Sequence, residues 1–255
     1  MTSRQKIAQA GFTLVELAIV LLIVGLLISG ILKGQELIQN SRTTATIQQT
    51  KSYEAAVNTF RDSFGGLPGD LINALDRVPG CTAANVNCAN GDGNGRVGAN
   101  NGAGTASGAT VADERGRFWQ HLALANLISG VIPNFTATAP AWGTNLPAGR
   151  LTGGFLIGQA NLAAGGAPGN AGPMNGHYLT MQAIPNDTTA SATNAAVEPG
   201  RAAQIDLKLD DGQPGTGDVV ALGNGATCSS LNTPAGVYVS ATETATCNIA
   251  IKILN

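Results

Sequence analysis

The chain has 255 residues and a formal net charge of −2, and only 12% of its residues are charged. That balance excludes the basic footprint of a nucleic-acid binder and leaves room for one sizeable domain plus an anchor. Glycine is abundant at 34 residues while aromatics make up 4%, so the core must be aliphatic and the elements joined by long loops.

The first element is an apolar run from Phe12 to Leu32, broken by polar side chains only at Thr13, Glu16 and Ser29. As a helix rising about 1.5 Å per residue it spans roughly 30 Å, the thickness of a hydrocarbon core. Arg4 and Lys6 precede it without any acidic residue, which keeps that end cytoplasmic and exports the remainder. An uncleaved anchor and a secretory signal are the simpler readings. Ser29-Gly30 is a loose cleavage site for the latter, but Ile31-Leu32 then extends the run. Neither accounts for Glu16. A carboxylate at that depth costs about 2.5–3.5 kcal/mol and needs a partner.

Gly11-Phe12-Thr13-Leu14-Val15-Glu16 followed by the apolar helix resembles the class III signal of type IV prepilins and type II secretion pseudopilins. The resemblance implies cleavage after Gly11 by a prepilin peptidase and N-methylation of Phe12. Glu16 becomes the fifth residue of the processed chain, where the family places its glutamate. Its partner is then the α-ammonium of Phe12, from the same chain or a packed neighbour. The implied partners are the peptidase, other pilin or pseudopilin subunits and the inner-membrane assembly platform. The implied location is the bacterial inner membrane, single-pass with a periplasmic head, and then a pilus or pseudopilus. The protein would be a structural subunit and not an enzyme. The rival is a membrane-tethered extracytoplasmic binding domain or enzyme that does not polymerise.

Beyond the membrane, Leu37, Ile38, Tyr53, Ala56, Val57, Phe60 and Phe64 recur at helical spacing, which predicts one helix from about Thr13 to Phe64. Gly65-Gly66-Leu67-Pro68-Gly69-Asp70 stops it. A second helix is expected from Ala112 to Ser129, with Phe118, Trp119, Leu122, Ala125 and Asn126 on one face and Gly130 as its stop. Pro140 to Asn175 reads as loops around short strands such as Phe155-Leu156-Ile157. Pro199 to Leu209 reads as a helix, with Pro199 at its first position and Gly212 as a stop, although Ile205, Leu207 and Leu209 also alternate like a strand. Val219 to Leu222, Val237 to Val239 and Asn248 to Leu254 are strand candidates. The fold class is α+β: a long amino-terminal helix, membrane-spanning in its first half, packed on an antiparallel sheet head with inserted loops. The segments are a leader (1–11), a membrane and filament-core helix (12–32), its amphipathic continuation (33–64) and a globular head (65–255).

Cys81, Cys88, Cys228 and Cys247 fall as two local pairs, which in an exported protein favours two disulfides over a zinc site, whose cysteines stand closer together. Asn90, Asp92 and Asn94 alternate ahead of Gly95, like the first half of an EF-hand calcium loop. Asn101 stands where that loop carries its glutamate, so a carboxylate from elsewhere would be needed. No cofactor is required by the sequence; structural Ca²⁺ is the one it suggests, against a metal-free glycine-asparagine turn. Asp210-Asp211-Gly212 with Asp218 is a second acidic loop, read as a solvated turn. His121 and His177 are the only histidines, and no catalytic motif accompanies them. Trp119 and Trp142 fit core packing better than a sugar platform.

Overall fold

The computed structural model describes residues 13–83, 88–98, 113–133, 139–162, 174–185, 194–222, 225–230 and 236–254. Two compact units divide the chain, one ending at Arg42 and the other beginning at Thr43. Helix α1 (Leu14–Phe64) runs through both. In the second unit it is followed by α2 (Ala74–Arg77), α3 (Glu114–Leu124), β1 (Gly154–Leu162), β2 (Met174–Gln182), α4 (Pro199–Leu209), β3 (Val219–Leu222), α5 (Gly225–Cys228) and β4 (Asn248–Leu254). The four strands form one antiparallel sheet in the order β1-β2-β4-β3. The fold is α+β, with the pilin-like arrangement of a long apolar helix entering a sheet-based head.

The head buries one stripe of α1: Thr43, Thr46, Thr50, Tyr53, Ala56, Val57 and Phe60. Steps of three and four keep these residues on one face. Tyr53 meets Trp119 and Phe155 edge-on, with ring centroids 5.2 and 5.6 Å apart, which ties α1 to α3 and to β1. The predicted stripe began earlier, at Leu37 and Ile38. Both are exposed, and three threonines line the start of the packed face instead. A threonine can do this because its hydroxyl returns to its own helix. Thr50 Oγ1 donates to the Thr46 carbonyl at 3.1 Å, leaving the methyl for packing.

Helix α3 is shorter than predicted. Asp113 caps it, accepting from the amides of Arg115 and Gly116. It ends at Leu124 because Asn126 takes a left-handed φ of 55°. Leu127 N–H then reaches the Leu122 carbonyl and Asn126 N–H the Ala123 carbonyl, both at 3.0 Å, which is a Schellman closure. Asn126 is therefore the stop, and Gly130 lies beyond it. Helix α4 and strands β3 and β4 occupy the predicted ranges.

Two strand expectations need correction. Val237–Val239 forms no strand: Tyr238 makes an isolated bridge to Ser229, and its phenol is drawn inward to Asp206. Conversely, β2 is a full nine-residue strand in a stretch that no alternation marks. His177, Thr180 and Gln182 are buried in it among Tyr178, Leu179 and Met181, because β2 is central and covered on both faces.

Cys81–Cys88 and Cys228–Cys247 are the two disulfides, with Cα atoms 5.4 and 5.0 Å apart, the local pairing expected. The second closes the segment that carries Tyr238.

Candidate functional site

The amino-terminal helix has a reciprocal cap. Thr13 donates its backbone amide and its hydroxyl to Glu16 Oε2 at 2.8 and 2.9 Å, and Glu16 N–H returns to Thr13 Oγ1 at 3.3 Å. This is a capping box, formed by a threonine three residues ahead of a glutamate. From Thr13 to Lys33 every residue is exposed, and Leu14 and Leu21 are 85% and 71% accessible. The helix is long and apolar enough to cross a membrane, with a mean hydropathy of 2.8 over its apolar window. Side chains placed at Gly25, Gly30 and Gly34 would meet nothing within 4 Å, so these positions face open space. Gly11 and Phe12, the predicted cleavage and methylation positions, lie outside the described residues.

Residues 6–32 match the family model of the prokaryotic N-terminal methylation motif. The chain carries the class III signal of type IV pilins and pseudopilins. That motif implies processing by a prepilin peptidase and assembly with other pilin subunits. No curated protein and no solved structure matches the chain.

In the head, the predicted calcium loop is tied to two carboxylates that the sequence pattern did not include. Oxygens of Asp70, Asp92 and Glu114 lie within 4.8 Å of one another. Asp70 is buried and accepts from the amides of Asn94 and Gly95 at 3.1 and 2.9 Å. Burial raises its pKa to about 6; the Gly95 amide opposes this, and Asp92 and Glu114 add to it. Glu114 accepts from the amides of Asp92 and Gly98 at 3.1 and 2.9 Å. Three hard oxygen donors suit Ca²⁺ better than a transition metal. Of the other predicted ligands, Asn90 uses its side-chain oxygen on Leu75 N–H at 3.1 Å, and Asn94 turns its amide onto Asp92 at 2.7 Å. Asp70 and Glu114 lie far from the loop in sequence. The sharp turn at Gly69, with φ 86°, and the start of α3 bring them in.

The second acidic loop is built around one buried carboxylate. Asp206 accepts from Tyr238 Oη at 2.7 Å and from Gly212 N–H at 3.0 Å. Burial raises it to about 6, opposed by those two hydrogen bonds and reinforced by Asp211 and Asp210. Asp211 and Asp210 are exposed and hold turn amides, Gln213 for Asp211 and Asp218 and Val219 for Asp210. The cluster works as a structural clamp on the disulfide-closed segment.

Both histidines are buried, and burial lowers each to about 4, so they are neutral at physiological pH. His121 Nδ1 accepts from Gly69 N–H at 2.9 Å, and its ring stacks on Phe60. Trp119 is fully buried and Trp142 donates its indole N–H to the Ala183 carbonyl at 2.9 Å, so the tryptophans pack the head.

Proposed function

We propose that this chain is a non-enzymatic filament subunit, a minor pilin or pseudopilin of a type IV pilus or type II secretion pseudopilus. A prepilin peptidase hydrolyses the Gly11–Phe12 bond on the cytoplasmic face and methylates the new amine. The processed subunit sits in the inner membrane with its head in the periplasm until it enters the filament. What supports this reading is Glu16: it stands in the first turn of a helix whose apolar side chains from Leu14 to Leu32 are all exposed and await a covering.

In a bundle of such helices, a carboxylate beside the α-ammonium of Phe12 is a compensated pair. A wrong register leaves both charges unpaired in an apolar interior and costs several kcal/mol. Glu16 thus acts as a register and recruitment device, while Gly25 and Gly30 let helices approach closely. A shearing assay on cells expressing a tagged chain tests this. Glu16→Ala is cleaved and stays in the membrane but is lost from the sheared filament fraction. Normal recovery of the variant in that fraction overturns the pairing role.

A further inference from the structure

A cleft of about 540 Å³ opens on the head, lined by Gln48 and Ser52 of α1, by Leu127 and Ile128 after α3, and by Arg150. Arg150 is exposed, no carboxylate pairs with it among the described residues, and no acidic side chain lines the cleft. Leu127 and Ile128 are only half-buried, so apolar surface is left open beside this cation. The complement is an apolar side chain with negative charge next to it. The same head carries that combination at the end of α4. Leu207 is 69% accessible, the most exposed large apolar side chain of the head among the described residues. The turn that follows folds back against it, since a Cβ on Gly212 would lie 3.2 Å from Leu207 Cδ1. Asp210, Asp211 and Asp218 are exposed around that turn and outnumber Lys208 and Lys252 there.

These two features cannot meet within one molecule. The sheet is antiparallel throughout in the order β1-β2-β4-β3, so the outer strands β1 and β3 start at diagonal corners. Arg150 lies at the first corner, in a turn closed by Gly149 N–H on the Gly153 carbonyl just ahead of β1. The acidic turn lies at the second, where Asp210 accepts from the amides of Asp218 and Val219 at the start of β3. Matching surfaces on different parts of one molecule make a heterologous contact, which repeats head to tail from copy to copy. We propose that the end of α4 in one copy docks in the cleft of the next, with Leu207 on Leu127 and Ile128 and the Asp210 and Asp211 carboxylates on Arg150. The repetition of this contact along a fibre rests on the filament-subunit reading; the contact itself is made by heads alone.

Zero-length carbodiimide cross-linking of the full chain carrying Arg150→Lys tests it, because this reagent joins an amine only to a carboxylate in contact with it. Isotope-labelled and unlabelled chains are mixed in detergent, and sheared filaments from cells expressing the same variant are treated in parallel. The expected product is a peptide pair joining position 150 of one copy to Asp210 or Asp211 of another, with mixed labels in the detergent sample. Adding Leu207→Ser leaves both carboxylates in place and is expected to cut the yield at least about tenfold through lost apolar burial. Leu207 is exposed, and an unchanged melting temperature shows that L207S is folded. The docking is overturned if the pair is missing, if L207S cross-links as efficiently, or if the introduced amine joins other carboxylates as often. Filaments that contain the chain without this pair refute the docking alone. A chain that gives the pair in detergent but never enters filaments refutes the filament reading alone.

Discussion

Thr13 and Glu16 close a reciprocal box at the first turn of α1, so one carboxylate serves two ends. It caps the helix, and in the proposed filament it would also supply the negative charge that pairs with the Phe12 amine. The two roles separate by substitution. Glutamine keeps the acceptor oxygen of a capping box and removes the charge, whereas alanine removes both. If pairing with the Phe12 amine drives incorporation, Glu16→Gln and Glu16→Ala are both absent from sheared filaments. If the cap is what matters, E16Q assembles like the native chain.

Gly69 governs how the turn after α1 meets α3. A Cβ there would come within 2.3 Å of the Glu114 carbonyl, and the residue holds φ 86°. The same turn presents Gly69 N–H to His121 and places Asp70 beside Asp92. Gly69→Ala is expected to destabilise the head by about 2–4 kcal/mol through backbone strain and overpacking. Denaturant unfolding of the solubilised protein measures it, and a loss below about 0.5 kcal/mol contradicts the close approach.

Asp206 makes stability depend on pH in a direction unusual for a carboxylate. Its folded pKa of about 6 exceeds the ordinary 3.8, so between these values the folded head binds a proton that the unfolded chain does not. This group therefore stabilises as pH falls through 6 towards 3.8. The buried histidines act oppositely, since their folded values near 4 lie below 6.5 and their contribution is lost as pH falls through that window. The difference between the native chain and Asp206→Asn cancels the histidine contribution. Melting temperatures at both ends of the aspartate window should show the native chain gaining on D206N as the pH drops. A difference that does not change with pH contradicts the assignment.

The carboxylate trio sets the test for calcium. Bound to Asp70, Asp92 and Glu114, the ion would stabilise the folded head by mass action, and each kcal/mol raises the melting temperature by about 2–4 °C in a chain of this size. Millimolar calcium is expected to raise it, and Asp92→Asn to blunt the rise. An unchanged melting temperature contradicts calcium binding at this cluster.

What was legible in the sequence was local chemistry. Pro199 at a helix start, cysteines close in sequence and Ile249, Ile251 and Ile253 in alternation each point to their element without help from the rest of the fold. The illegible parts depend on distant partners. Thr43, Thr46 and Thr50 look polar but are buried, with the Thr50 hydroxyl folded back on the helix, and β2 looks irregular because its buried His177, Thr180 and Gln182 mask a core strand. Asp70 and Glu114 join Asp92 only through the turn at Gly69, which no spacing rule predicts. Asn126 fits a helix face by its spacing, but its left-handed backbone ends that helix.

A filament subunit of this kind must begin at Phe12 when mature. Intact mass and fragmentation spectra of the protein purified from its own cells decide it. Loss of residues 1–11 with one methyl group on the Phe12 nitrogen is the predicted result. A chain that retains Met1 and an unmodified leader contradicts the filament-subunit reading and leaves an anchored domain in its place.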